Sequence, residues 1–267
     1  MGNIKKLSLI ALLLIIIGGI GSLFTFKTLE RGTVSETKEV EAKEVSNLKI
    51  DLINEKVNIV PTKEAEIKIE LKGKSNEPDR KHLNVDKQGG TLTIQKKREH
   101  FNKFVFFERS DSLTLTVYLP KKEYESIQVE VNNGSIKADH ITVKNMKVSG
   151  DNGKIFLRDV KADQTNVGTT NGSVLLKDIS GKLKGKTNNG KISLLTVDLD
   201  RSLDFTTNNG TIEIKTENEP TNVTYDLRVG NGNIQVFDEK NWDTVIGNGK
   251  NLIKASTDNG DIEIKKY

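Results

Sequence analysis

The sequence has no cysteine and only four prolines among its 267 residues. Without cysteine the chain can form no disulfide bond, no thiolate metal site and no lipidated-cysteine anchor. Its three histidines, His82, His100 and His140, lie outside any recognisable catalytic motif, and aromatic residues make up only 5% of the chain. The nucleophile-elbow, zinc-protease, EF-hand and phosphate-loop patterns do not occur either. We therefore expect a protein that is not an enzyme, with no catalytic residue, cofactor or metal site.

What the sequence does contain is a repeated phrase of a polar residue, Asn, Gly, any residue, then Ile or Val. Its first six glycines are separated by 19, 19, 18, 20 and 22 residues. A fixed period near 20 residues is typical of a solenoid. Asn and Gly both tolerate positive φ, so we expect a structural turn at each copy. The predicted turns are Asn133-Gly134, Asn152-Gly153, Asn171-Gly172, Asn189-Gly190, Asn209-Gly210, Asn231-Gly232 and Asn259-Gly260.

A short run of alternating apolar residues follows each turn, as in Ile155/Leu157 and Ile212/Ile214. A period of two indicates strands with one buried face. Two all-β architectures fit this pattern: a series of Asn-Gly hairpins, or a parallel β-helix whose coils all turn at the same corner. The regular step favours the β-helix with coils of about 20 residues, in which the Asn side chains could form a ladder of amides.

An uncharged run from Leu7 to Phe26 follows Lys5 and Lys6. Twenty such residues are enough for a helix to cross a bilayer. A cleaved signal peptide is the alternative, but the run is long for one and no good cleavage site follows it. We therefore expect a retained signal-anchor at residues 1–27, through which the chain contacts the cell membrane by residues 7–26. The lysines place the N-terminus in the cytoplasm and the C-terminal part outside it.

The remaining chain divides by pattern into three parts. Residues 28–47 are charged and predict a stalk. Residues 48–126 alternate like strands and predict either the first coils of the solenoid or a separate cap. Residues 127–267 carry the regular repeats, and their end, Ile262–Tyr267, is a charged strand suited to a sheet edge.

A phenylalanine-rich stretch at residues 100–109 interrupts the pattern. It is either a flap that covers the core or an exposed loop that contacts a partner. The candidate contact residues are Phe101, Phe104, Phe106 and Phe107. The formal charge of +4 gives little reason to expect nucleic-acid binding, but it is compatible with loose attraction to anionic envelope polymers or lipid headgroups.

The Asn-Gly repeat after an N-terminal apolar run resembles the bacterial "putative adhesin" domain family of β-solenoids, over about residues 40–267. Its membrane-anchored members include the LiaG-type proteins of Gram-positive envelope-stress operons. The resemblance implies a right-handed parallel β-helix in the cell envelope with a binding or scaffold role, and cell-wall polymer or a membrane protein as partner. Two alternatives remain: an accessory regulator of an envelope-stress response that acts through a membrane partner, and a carbohydrate-active β-helix enzyme.

Overall fold

A computed structural model describes residues 2–27, 31–80, 82–96, 111–237, 239 and 243–267. One helix precedes seventeen strands, nearly all of which belong to a solenoid and its caps. The elements are α1 (Gly2–Lys27), β1 (Gly32–Glu41), β2 (Asn47–Leu52), β3 (Lys56–Thr62), β4 (Glu66–Ser75), β5 (Leu83–Gln88), β6 (Thr91–Lys96), β7 (Ser112–Pro120), β8 (Glu123–Ile179), β9 (Lys182–Asn189), β10 (Ile192–Thr196), β11 (Leu203–Asn209), β12 (Ile212–Thr216), β13 (Val223–Asn231), β14 (Ile234–Val236), β15 (Val245–Ile246), β16 (Asn251–Asn259) and β17 (Ile262–Lys266).

The repeats stack as parallel coils, so the all-β solenoid prediction is confirmed and the hairpin alternative is wrong. The 57 residues of β8 pass three Asn-Gly corners without a break in the strand. Equivalent residues of successive coils pair in register, for example Ile192 with Val174 and with Ile212. Each coil can thereby bury its apolar row against its neighbours, which no single coil could do alone.

Each coil contributes strands to two faces, one on either side of the corner. The pre-turn face consists of strands that lead into the corner, paired in the order β5, β6, β2, β8, β9, β11, β16, β13, β15. The post-turn face consists of strands that leave it, paired in the order β1, β4, β7, β3, β8, β10, β12, β17, β14. Both faces therefore run the full length of the stack.

The coils do not stack in sequence order at either end. The coil formed by β16 and β17 lies between those of β11/β12 and β13/β14. Likewise β2 lies between β6 and β8, and β3 between β7 and β8. The prediction of a sheet edge at Ile262–Tyr267 is wrong, because β17 has a parallel partner on both sides. Its charged residues face outward while Ile262 and Ile264 are fully buried.

The N-terminal half also differs from the predicted division. Residues 32–41, expected within a charged stalk, form β1, which pairs antiparallel with β4 and buries Val34. Residues 48–126 supply both of the predicted alternatives: β2 and β3 form a coil inside the stack, while β4 and β5 pair antiparallel as a cap. The antiparallel strands cover edges that a bare terminal coil would expose.

One continuous apolar core runs through the stack from Val34 to Ile264. The described side chains of α1 are outside this core: Leu14 and Ile15, for example, are 64% and 71% exposed. Within the described ranges, no helix meets the combined length and hydropathy expected of a membrane span.

Candidate binding surface

The asparagines of the corners form a continuous ladder of side-chain amides. From Asn133 onward, each Nδ2 group donates to the Oδ1 atom of the preceding asparagine in the stack, over 2.7–3.2 Å. The ladder follows the order of the stack, so Asn259 precedes Asn231. Its members are Asn54, Asn133, Asn152, Asn171, Asn189, Asn209, Asn259 and Asn231. The bonds fix adjacent coils in one register along an exposed corner.

The glycines of the corners are needed chiefly because successive backbones approach closely. A Cβ atom on Gly172 would overlap the carbonyl oxygen of Gly153, and the same holds from Gly153 to Gly232 in stack order. Positive φ, the predicted reason, applies at five of the predicted glycines, with φ of 143–159°, but not at Gly134 or Gly172. None of the asparagines in the corners has positive φ, so that part of the prediction is wrong.

A column of buried threonines lies directly inside the corner, and sequence reasoning missed it. Thr187, Thr207 and Thr257 donate to the corner glycine carbonyl of the adjacent coil, over 3.0–3.5 Å, and Thr169 donates to Asp151. The signal was present, since each threonine stands three residues before its glycine. These bonds supply partners for hydroxyl groups that would otherwise be buried without one.

Apolar side chains interrupt the polar surface of the post-turn face over three adjacent coils. Alternation should place polar residues there, yet Phe156, Leu175 and Leu195 point outward, with Leu175 39% exposed. Lys154 and Lys177 flank them, and both are exposed. We call these five residues the apolar–cationic patch. Equivalent positions of successive coils form a column along the stack. Side chains of the patch in neighbouring coils are therefore spaced about 4.8 Å apart along the stack.

The patch carries positive charge that no neighbouring carboxylate neutralises. No Asp or Glu of the described chain forms an ion pair with Lys154 or Lys177, and Lys137 lies 5.8 Å from the centroid of the Phe156 ring. Arg158, beside the patch, donates to both carboxylate oxygens of Asp139 and holds the pKa of that carboxyl below its usual range.

Carboxylates elsewhere on the post-turn face are held by lysines. Glu213 accepts from Lys191, Lys215 and Lys265 at 2.8–3.2 Å. Partial burial raises the pKa of Glu213, but these hydrogen bonds outweigh it and bring the value to about 2. Glu70 accepts from Lys68 and Lys72, which lower its pKa to about 2 as well. The face therefore keeps an excess of cationic charge around the patch.

A second corner of the stack contains His140, whose ring lies between two carboxylates. Its Nδ1 is 2.7 Å from Asp139 Oδ1 and its Nε2 is 3.4 Å from Asp159 Oδ2. His140, Asp159 and Asp178 all have φ near 50° and recur every 19 residues. They are thus stacked turn residues, and the cavity of about 390 Å³ beside His140 lies in the groove between this corner and Tyr124.

Two further features bear on the predicted contacts. The loop residues Phe101, Phe104, Phe106 and Phe107 lie outside the described residues. Among the residues that are described, no three His, Cys, Asp or Glu side chains come together as metal ligands. Among the described residues, the apolar–cationic patch is consequently the candidate binding surface.

The fold and its corner define the class of protein, a parallel β-solenoid with an asparagine ladder. A family model described as "Toastrack DUF4097" matches residues 45–167 and again residues 127–265. The two matches overlap in the central coils and together include most of the solenoid. The chain belongs to this family.

Individual relatives are distant. "Uncharacterized protein YvlB" of Bacillus subtilis (strain 168) is 25% identical over 108 residues, which are 37% of this chain and 27% of that one. The match thus spans about a quarter of that relative. Similar solved structures include a "putative adhesin" from Bacteroides fragilis, with 11% identity and TM-score 0.48, and a "putative lipid binding protein" from Parabacteroides distasonis, with 17% identity and TM-score 0.48. Each covers 86% of this chain and 96% of its own.

Proposed function

We propose that this protein is a non-catalytic binding or scaffold module, held at the extracytoplasmic side of the cell membrane by its N-terminal segment. We infer that the coils wind to the right, because parallel crossover connections are nearly always right-handed. The observation that carries the proposal is the apolar–cationic patch, displayed on a face whose position the ladder fixes. Leu175 and Phe156 offer apolar contact area, and Lys154 and Lys177 offer charge without an internal partner.

A rigid surface of this kind suits binding because little conformational entropy is lost when a partner docks on it. The exposed apolar side chains of α1 support the anchoring part of the proposal, since Leu12–Ile17 are 51–71% exposed and water is a poor environment for them. Among the described residues, no helix is both long and apolar enough to cross a membrane. The anchoring is tested by labelling introduced cysteines.

Because the sequence has no cysteine, an introduced cysteine is its only thiol and reports the position of a single site. Cells expressing the full chain with Asp163→Cys or with Asn3→Cys are treated with a maleimide that cannot cross membranes, before or after lysis. We expect Asp163→Cys, on the exposed surface of the solenoid, to react in intact cells and to remain in the membrane fraction. Asn3→Cys should react only after lysis. Labelling of Asp163→Cys only after lysis would overturn the extracytoplasmic placement.

A further inference from the structure

We propose that the post-turn face lies flat on the surface of an anionic lipid bilayer, with the apolar–cationic patch inserted among the headgroups. The inference rests on the proposed function, in that it assumes an envelope module tied to a membrane, and it names the surface that the patch contacts. Three observations lead to it: the continuity of one sheet, the composition of the patch and the state of the neighbouring carboxylates.

The post-turn face begins at the strand that follows the predicted membrane segment. β1 starts at Gly32, five residues after Lys27, a step that can span at most roughly 17 Å. β1 pairs with β4, β4 with β7, β7 with β3 and β3 with the part of β8 that leads to the patch. A chain that leaves the bilayer before β1 therefore brings the β1 edge of this sheet, rather than the far end of the solenoid, next to the headgroups.

The composition of the patch is typical of surfaces that bind to a membrane interface. Peripheral proteins bind anionic membranes with apolar side chains that enter the headgroup region and with basic residues around them. Phe156, Leu175 and Leu195 form such an apolar centre across three coils, while Lys154 and Lys177 border it. All five side chains lie on the same side of neighbouring strands, so a lipid surface can contact them together.

Two acidic residues of this face, Glu213 and Glu70, have lysines around them that offset their repulsion of lipid phosphates. Glu213 is surrounded by three lysine ammonium groups and Glu70 by two. Beside Glu70, Tyr118 lies with its ring centroid 5.7 Å from the Lys68 ammonium. Tyrosine is enriched where proteins meet the interface of a membrane. Lysine ammonium groups thus lie both at the patch and beside Glu70 and Tyr118 on the same face.

The test uses residues 31–267, a fragment that retains the whole core from Val34 to Ile264. Its binding is measured by co-sedimentation with vesicles of phosphatidylcholine alone and of phosphatidylcholine mixed with phosphatidylglycerol. We expect binding to the mixed vesicles only, and weaker binding as salt rises. Lys154→Glu and Lys177→Glu should each lower the partition coefficient by at least about fivefold, and Leu175→Ser should lower it as well. Lys147→Glu, an exposed lysine of the pre-turn face, is the matched control and should bind as the wild type does.

Several outcomes would overturn the inference. One is a wild-type fragment that fails to bind the mixed vesicles, or binds both kinds equally. Another is an equal loss in Lys147→Glu, which would mean that net charge and not this face decides binding. Circular dichroism and melting curves show whether each variant is folded. Because the fragment lacks residues 1–30, its result is independent of the maleimide experiment, so a failure of lipid binding can be told apart from a failure of the extracytoplasmic placement.

Discussion

At the scale of single residues, the corner glycines make the sharpest prediction. Gly172→Ala places a methyl group against the Gly153 carbonyl, so the stack must separate locally. We expect a loss of about 1–3 kcal/mol in the free energy of unfolding, a typical cost of overpacking. Gly168→Ala is the control, since its nearest neighbour would be the Lys186 carbonyl at 3.3 Å on an outward surface. Urea denaturation of both variants measures the difference, and equal stabilities would contradict the close-approach explanation.

Glu213 links stability to pH. Its folded pKa of about 2 lies below the usual value of a glutamate. A lowered carboxyl pKa stabilises the folded state above the unfolded pKa, and this contribution is lost as pH falls through the folded pKa. Glu213→Gln should therefore destabilise the protein by about 1–2 kcal/mol at neutral pH, because three lysines lose the negative charge that they share.

The difference between Glu213→Gln and wild type should shrink as pH falls from about 4 toward 2, in urea titrations at several pH values. Glu263→Gln, which has Lys265 as its ion-pair partner, should show a smaller effect. A constant difference over the whole pH range would mean that Glu213 stabilises through its shape and not through its charge.

At the scale of elements, the exchanged order of the terminal coils predicts an unusual pattern of hydrogen exchange. β17 is nearer the end of the sequence than β14, yet it pairs on both sides, whereas β14 pairs along its length only with β17 among the described strands. Local opening should begin at the strand with fewer partners. Amides of Ile262–Lys266 should exchange at least about tenfold more slowly than those of Ile234–Val236. Faster exchange in β17, read by mass spectrometry, would indicate sequential stacking.

The sequence predicted the coil and its corner because both are local. Asn, Gly and the alternating residues after them act within one repeat, and a period near 20 residues follows from counting. The order of the coils is not local. Every Asn-Gly corner is equivalent to the others, so nothing in the repeat itself tells whether the coil at Gly232 or the coil at Gly260 stacks on the coil at Gly210.

The patch and β1 were missed for different reasons. Phe156, Leu175 and Leu195 were visible as apolar residues at outward positions of an alternating strand, a signal that a search confined to the buried row overlooks. β1 is an edge strand with Val34 as its one fully buried side chain, so its charged composition resembled a stalk. Edge strands often carry charged side chains that prevent pairing with another chain, so a charged composition does not exclude a strand.

At the scale of the whole molecule, the position of the core predicts that the solenoid is independent of its N-terminal segment. All core residues lie between Val34 and Ile264, and the described side chains of α1 between Ile10 and Ile20 are half exposed or more wherever they are large and apolar. The described side chains of α1 therefore add nothing to this core, and we expect the solenoid to keep its stability without residues 1–30. The fragment 31–267 should melt within about 2 °C of the full chain in mild detergent, as expected when no stabilising contact is lost.

A fragment that starts at residue 43 instead loses β1 and Val34, exposes the edge of β4 and should melt several degrees lower. If the two fragments melt together, β1 does not cap the stack, and the route from membrane to patch through this sheet loses its first strand.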